Sequence, residues 1–325
     1  MAKSYSIIVK SSYSKPWLSI DDQLAKLEAR GLVVTDREKS LKFLSYINYY
    51  RFAGYALKFE NWDDGVGDRV FKDGVTFDDV RFICEFDRDL RDVFFEGLEL
   101  VEISLRSIIA HKFAEKYGPF GHLHKNNFSP MFVKPSVRSS KTSYQDWHEK
   151  ILRETERSKE MFVRHFENHY TQFPDLPIWV VAEICSFGSL SEMLSNLLRR
   201  DQATIASVYR LQYDEVASWA HALTYVRNIC AHHARLWDKE FRITPKLPIN
   251  NVNWMKMKGR EKTVYVAALM INWMLAHDSI DNGAHRAWKV KLEEQMDRLQ
   301  KAFPKLFLFT GFEMNWKKNP LWWQY

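Results

Sequence analysis

The chain has 325 residues, of which 46% are hydrophobic and 15% aromatic, and its formal net charge is +6. This composition excludes a disordered chain and predicts a globular protein that buries a sizeable core. The basic balance, with a sequence pI of about 9.0, favours a polyanionic partner, although many proteins with this balance bind no nucleic acid.

Several functional classes are not supported by the sequence. Cys84, Cys185 and Cys230 are widely spaced, which fits reduced thiols in a cytoplasmic protein. The N-terminus lacks the apolar run of a signal peptide, and the longest apolar segment, about 264–275, is too short for a bilayer and predicts a buried helix. Zinc-ligand spacing, a glycine-rich phosphate loop and a nucleophile elbow are missing from the sequence. We therefore expect a cytoplasmic protein with no membrane partner, no metal and no cofactor.

Polar residues mark the predicted helix starts in the N-terminal part of the chain. Ser19 and Asp36 each precede an apolar periodic stretch, as N-cap residues do. The segment 61–74 is rich in Gly and Asp and predicts a loop with a brief hairpin. Thr76 and Asp79 then form a capping-box pattern. The helix that follows either stops after about ten residues or continues into the strongly helical stretch beyond it.

Two segments of the chain contain candidate RNA-binding residues. Tyr49, Tyr50 and Arg51 are either aromatic core with an arginine paired at its edge, or a surface where arginine binds phosphate and tyrosine stacks on a base. Segment 129–143 is rich in Ser, Lys and Pro and reads as an exposed basic loop. It is either a solvated linker or a flexible arm that binds RNA through three basic side chains, Lys134, Arg138 and Lys141.

Helical periodicity dominates the rest of the chain, and strand patterns are nearly missing. Arg106 lies beside an apolar stripe with Glu102 four residues earlier, a spacing that favours an ion pair. Further helices are predicted at 147–170, 179–187, 190–200, 212–235, 261–277 and about 285–302, followed by an aromatic tail that folds back onto the body. The predicted fold class is an all-α multi-helix bundle with segments at 1–80, 81–240 and 241–325 that form one compact unit.

The stretch 225–237 concentrates two arginines, an asparagine and two adjacent histidines at the end of a predicted amphipathic helix. Arg227 falls in the apolar stripe, and His232 falls about 140° away on the helical wheel. One interpretation is structural, with an arginine at the edge of the core and histidines near the negative end of the helix dipole. The other is the Arg-x4–6-His pattern of metal-independent RNA cleavage. Spacing alone is not decisive, because Arg164 and His169 fit it as well.

The residues around this stretch carry a resemblance to a known family. Arg227-Asn-Ile-Cys-Ala-His-His-Ala-Arg-Leu-Trp237 closely resembles the R-N-x-C-A-H-H-x-R-L-W signature of the Abi family, bacterial abortive-infection proteins of the AbiD/AbiF type. Blocks at 47–55, at 101–106 running on to 117–121, and at 177–191 resemble the same family in the same order. Together they extend from about residue 17 to 240.

The resemblance implies a fold of the HEPN superfamily, with a HEPN-like helical core at 81–240 and helical additions at both ends. Active HEPN members are often ribonucleases, including the type VI CRISPR effectors, so the implied function is an RNA-binding toxin in phage defence. Their active sites usually pair two motif copies, from a homodimer or within one chain. A second half-site here is predicted to comprise Glu102, Arg106 and His111.

RNA cleavage without a metal needs a base for the 2′-hydroxyl, an acid for the leaving 5′-oxygen, and positive charge at the phosphorane. We predict that His232 transfers protons and that Arg227 binds the phosphate. Asn228 orients the phosphate or holds a helix break, His233 orients His232 or is structural, and Arg235 contacts RNA. The products would be a 2′,3′-cyclic phosphate and a 5′-hydroxyl.

Two alternatives remain at this point. The first is a non-catalytic protein in complex with a small structured noncoding RNA, in which the Arg/His cluster holds a phosphate or only the helix end. The second is a helical scaffold with no RNA role. Mutants distinguish the first from the enzyme, because loss of a catalytic histidine leaves RNA affinity intact whereas loss of a phosphate-binding arginine weakens it.

Overall fold

The computed structural model describes residues 12, 14–61, 69–136, 139–278 and 282–324. Sixteen α-helices account for most of these residues, and the strands within them form only two short hairpins. The prediction of an all-α multi-helix bundle is therefore confirmed. The chain divides into two compact units, Met1–Glu85 and Phe86–Tyr325, and the boundary falls inside the longest helix.

Unit 1 is built from three helices, a two-stranded hairpin and the first turns of the longest helix. These elements are α1 (Ile20–Ala29), α2 (Arg37–Ile47), α3 (Tyr49–Ala56), β1 (Glu60–Asn61), β2 (Val70–Phe71) and the beginning of α4 (Phe77–Tyr117). The predicted caps are present, since the side chains of Ser19 and Asp36 accept hydrogen bonds from backbone amides in the first turns of α1 and α2. Thr76 and Asp79 exchange hydrogen bonds at the start of α4, as a capping box does.

Unit 2 holds the remainder of α4 and the other described elements. They are α5 (Pro130–Val133), β3 (Pro135–Ser136), β4 (Ser139–Thr142), α6 (Ser143–Arg157), α7 (Met161–His169), α8 (Ile178–Ile184), α9 (Phe187–Asn196), α10 (Arg199–Val208), α11 (Tyr213–Ala231), α12 (Val252–Met255), α13 (Val264–His277), α14 (Asn282–Ala302), α15 (Pro304–Phe307) and α16 (Pro320–Trp323). Within this unit α11 packs on α9 and α10.

The centre of unit 2 is α13, in which every residue from 264 to 275 is buried. Gly97 lets α14 approach α4, because a Cβ there would lie 2.4 Å from Nε1 of Trp288. Asn272 is fully buried on α13 and donates from Nδ2 to the Leu321 carbonyl oxygen at 2.9 Å. This hydrogen bond ties the aromatic tail to the core, with Trp322 only 1% exposed, as expected from the sequence.

The prediction that 129–143 is a loop was wrong, whereas RNA contact at its basic residues stays a prediction. This segment contains α5 and the β3–β4 hairpin, because Phe132 is buried against Phe128, Tyr144 and Trp147 with ring centroids 5.6–6.3 Å apart. Lys134 is exposed, Lys141 forms an ion pair with Glu149 at 2.7 Å, and Arg138 lies outside the described residues.

Two helix boundaries also differ from the prediction. The single helix expected at 147–170 is two helices, α6 and α7, because Ser158 is extended and its hydroxyl accepts from the Glu160 amide at 3.3 Å. The helix expected at 190–200 begins earlier, as α9, because the side chain of Ser186 caps the amide of Ser189. Among the described residues, no helix combines the length and apolar character needed to cross a bilayer.

We expect unit 2 to lose stability in mild acid through His122. This side chain is 1% exposed, Nδ1 has no hydrogen-bond partner among the described residues, and burial lowers its pKa to about 3. Because the folded pKa lies below the ordinary value of 6.5, the unfolded chain binds the proton first. The free energy of unfolding is therefore unaffected above about pH 6.5 and decreases from there towards pH 3, by about 2 kcal/mol at pH 5.

Urea unfolding at neutral pH and at pH 5 measures this loss. His122→Leu removes the titrating group, so the variant should lose less stability than the wild type between the two pH values. His124→Leu, at a nearby exposed histidine, is the matched control and should behave as the wild type does. Equal pH dependence of His122→Leu and wild type would contradict the assignment.

Candidate functional site

The candidate site is built at the C-terminal end of α11. The helix ends at Ala231, four residues before the predicted end, and closes with a Schellman turn. The Ala234 amide donates to the Ile229 carbonyl oxygen and the His233 amide donates to that of Cys230, both at 3.0 Å. These two bonds satisfy carbonyl groups that every helix end leaves without partners.

His233 occupies the left-handed position of this turn, with a φ of 53°. Glycine usually fills that position, since it has no Cβ to clash with the backbone. His232, immediately before it, is the C-cap residue, and both imidazoles are exposed. A histidine in this left-handed backbone conformation lowers the stability of the fold, and residues held in such strained conformations are concentrated at functional sites.

We expect His233→Gly to raise the free energy of unfolding by about 1 kcal/mol, because glycine adopts a positive φ without strain. His233→Ala removes the same imidazole but keeps a Cβ, and alanine tolerates this conformation less well than histidine does. The expected order of stability in urea unfolding is Gly above His above Ala. A less stable glycine variant would mean that contacts of the His233 side chain outweigh the backbone cost.

A buried ion pair on α4 anchors the chain directly after the histidines. Asp87 is fully buried, and its Oδ1 accepts from the amides of Leu236 at 3.0 Å and Trp237 at 2.7 Å. Its Oδ2 pairs with Arg91, one helical turn along α4. Leu236 and Trp237 are themselves fully buried. This pair was not predicted from the sequence, in which its only signal is an Asp and an Arg four residues apart in an apolar helix.

A second charged cluster brings together three of the predicted residues. The carboxylate of Glu102 on α4 lies between two guanidinium groups, pairing with Arg106 and lying 3.6 Å from Nε of Arg227 on α11. The Arg227 guanidinium also lies 5.8 Å from the centre of the Phe95 ring. With two positive charges and one negative charge, this Glu102 cluster carries a net charge of +1.

The two arginines of the Glu102 cluster are used differently. Arg106 donates to the carbonyl oxygens of Ala182 and Cys185 at the end of α8, so its guanidinium helps to fix α8 against α4. The side chain of Arg227 is 36% exposed, whereas that of Arg106 is 13% exposed. Arg227 is therefore the member of the cluster that can accept an anionic ligand.

Three further predicted residues of unit 2 lie on α11, just after α11 and on α4. Asn228 is exposed on α11, and its carbonyl oxygen accepts from the His232 amide at 3.0 Å. Arg235 pairs with Asp238 at 2.9 Å. His111 is exposed and lies five positions after Arg106, which puts the two about 140° apart around α4. The second half-site remains a prediction.

Tyr49, Tyr50 and Arg51 belong to unit 1. Tyr50 is 86% exposed and Tyr49 is half-buried. The Arg51 guanidinium lies 5.9 Å from the centre of the Tyr55 ring. The core interpretation does not hold for Tyr50, and RNA contact at these three residues remains a prediction.

Thiol chemistry has no support at this site. Cys84, Cys185 and Cys230 are all buried. Burial raises the pKa of Cys185 and of Cys230 to about 12, so neither provides a thiolate near neutral pH. In the part of the chain that the structure describes, no group of three or more His, Cys, Asp and Glu side chains has an arrangement that holds a metal.

Comparison with known proteins gives one family match for this chain. A family model described as "Abi-like protein" matches residues 42–238, well over half of the chain, and this range ends just after the Asp87-anchored turn. Neither the curated proteins nor the solved structures contain a match to the chain.

Proposed function

The chain belongs to the Abi-like protein family, which points to abortive infection as a defence against phage, and from that premise we propose that it is a metal-independent endoribonuclease. In this proposal the protein has a HEPN-type helical core, acts in the cytoplasm as a toxin of the AbiD/AbiF type, and cleaves RNA. The observation that carries it is the end of α11, where His232 and a strained His233 are exposed on the same helix as Arg227.

The chemistry assigned to these residues balances without a metal or cofactor. A basic imidazole takes the proton of the RNA 2′-hydroxyl, whose oxygen attacks the adjacent phosphorus. The bond from phosphorus to the 5′-oxygen breaks, and an acidic imidazole donates a proton to that leaving oxygen. Arg227 binds the phosphate and offsets the charge that develops on it. The products are a 2′,3′-cyclic phosphate and a 5′-hydroxyl.

The directions of Arg227 and His232 on α11 determine whether one copy of the chain can bring both groups to one phosphate. The helix is continuous through Cys230, so Arg227 and His232 leave it about 140° apart. One copy of α11 therefore does not aim both groups at one phosphate. We include a homodimer in the proposal, in which Arg227 of one copy and His232 of the other act on the same phosphate.

Cleavage of labelled RNA in EDTA tests the proposal. The expected result is undiminished cleavage, with fragments that carry cyclic phosphate ends. End-group analysis separates this chemistry from metal-dependent hydrolysis, because a nuclease that activates water at a metal leaves no cyclic phosphate. Cleavage that disappears in EDTA, or fragments without cyclic ends, would contradict it.

The second candidate function is a non-catalytic protein that holds a structured noncoding RNA. The Glu102 cluster favours it, since a net charge of +1 with a half-exposed Arg227 suits phosphate binding without catalysis. In that case Arg227→Ala weakens RNA affinity and lowers its salt dependence, and the bound RNA is recovered uncut. His232→Ala would then change neither affinity nor RNA length.

A further inference from the structure

Two cavities in unit 2 lie next to each other beside α11. The first has a volume of about 680 Å³ and the second about 650 Å³, and the lining of both includes Ser195 and His221. The two cavities are therefore neighbours at His221. We call the pair of cavities the α11 groove; it lies between α11 and the residues of α9 and α10 that pack on it.

The first cavity has the charges of a phosphate site. Arg199 and Lys246 line it, and the one carboxylate in its lining, Asp214, is paired with Lys246 at 2.8 Å. The Arg199 guanidinium lies 5.5 Å from the centre of the Tyr213 ring, which also lines this cavity. A cation beside an aromatic ring binds a phosphate and its neighbouring base together.

The second cavity has a different lining, made mainly of hydroxyls and carboxylates together with Lys150. Ser186, Ser189 and Ser191 face it together with Glu154 and Glu192. Glu192 pairs with Lys150 at 2.8 Å, and Glu154 accepts from the Ser186 amide at 3.3 Å. Carboxylates repel phosphate but accept hydrogen bonds from ribose hydroxyls and from base amino groups. The second cavity therefore suits the sugar and base side of a nucleotide.

One face of α11 continues the groove to the candidate site. His221, Tyr225, Asn228 and His232 are spaced by four, three and four residues, so they lie within an arc of about 60°. His221, Asn228 and His232 are exposed, and Tyr225 is half-buried. The distance along the helix from His221 to His232 is about 16 Å, the length of a few nucleotides. We call the turn formed by 232–234 the histidine turn. One polar face of α11 thus connects the groove with this turn.

We infer that the α11 groove binds single-stranded RNA and leads it to His232. Arg199 and Lys246 bind phosphates, Tyr213 stacks on a base, and the serines and carboxylates of the second cavity contact riboses. Cavities of this size admit separate unstacked nucleotides, whereas a duplex keeps its bases stacked inside. This inference rests on the proposed function, since it names the path of the substrate to the same site.

Fluorescence polarisation with a short labelled single-stranded RNA tests the groove, in a His232→Ala background where binding is separated from cleavage. Arg199→Ala/Lys246→Ala should weaken binding by about tenfold or more, and the slope of log affinity against log salt should fall by about 1.4, or about 0.7 for each lost phosphate contact. Arg200→Ala/Lys262→Ala removes the same charge outside the groove lining and should have little effect. DNA of the same sequence should bind less tightly, because it lacks the 2′-hydroxyl.

The outcomes separate this inference from the proposed function. If wild type cleaves RNA but the two double variants bind equally well, the groove is wrong and the ribonuclease stands. Equal binding of RNA and DNA, or tighter binding of the same RNA as a duplex, overturns the assignment of single-stranded RNA. If Arg199→Ala/Lys246→Ala weakens RNA binding while the wild type fails to cleave RNA, the groove assignment stands and the ribonuclease proposal fails. Circular dichroism confirms that the variants compared are folded.

Discussion

His232→Ala is expected to reduce RNA cleavage by about 10²- to 10⁴-fold, the contribution typical of a positioned acid or base. RNA affinity should stay near that of the wild type, because the imidazole is exposed and the hydrogen bonds at the helix end come from the His232 backbone amide, which alanine keeps. The measurement is single-turnover cleavage with saturating enzyme, since it separates the chemical step from binding.

Arg227→Ala should also abolish cleavage, with a loss of affinity that His232→Ala does not show. The matched control is Arg164→Ala/His169→Ala, which removes an Arg-His pair of the same spacing from α7, where Arg164 pairs with Glu167 on the surface. We expect this control to cleave normally.

Mixing Arg227→Ala with His232→Ala should restore part of the activity, because a mixed dimer contains one site with both groups. Failure to recover any activity would argue against the homodimer, and full activity of His232→Ala would remove the ribonuclease proposal.

Asp87→Ala is expected to lower the free energy of unfolding by about 3–5 kcal/mol, which is a large part of the stability of a typical domain. The substitution leaves Arg91 buried at 5% exposure without the carboxylate that balances its charge. It also deprives the buried amides of Leu236 and Trp237 of their acceptor. The measurement is urea unfolding followed by tryptophan fluorescence.

Asp87→Leu/Arg91→Met is the informative companion variant. It replaces both charges with apolar groups of similar size, so no unpaired charge stays buried, and it should be more stable than Asp87→Ala. The two amides still lack an acceptor, so the histidine turn should remain loosened and cleavage should remain low. Stability restored together with full cleavage would show that Asp87 does not position the turn.

The predicted helix starts agree with the structure where local chemistry determines them. Ser19, Asp36 and Thr76 each supply a side-chain oxygen to the amide three residues later, and that pattern is visible in sequence. The buried α13 was likewise predicted from an uninterrupted apolar run. The secondary structure of 129–143 was not predicted. It depends on Phe128 and Trp147, which lie outside the segment and whose rings meet only after folding.

In the candidate site, too, contacts between residues close in sequence were predicted and contacts between distant residues were not. Glu102 and Arg106 are four residues apart on one helix, and their ion pair was predicted. The anchoring of Leu236 by Asp87 joins residues 149 positions apart, which a helical wheel cannot show. The end of α11 was placed four residues late because the usual signal for a helix stop is glycine, and here a histidine adopts the left-handed conformation instead.

The length of α4 has a consequence for how this protein tolerates change. One uninterrupted helix of 41 residues carries both Asp87, which holds the histidine turn, and Glu102, which holds Arg227. Those two carboxylates are about 22 Å apart along the helix axis, and the helical repeat sets their relative direction. Replacing surface residues between them leaves this register intact, but inserting or deleting a single residue rotates one contact by about 100° relative to the other. Variants of α4 that retain the site should therefore differ by substitution in this interval and keep its length.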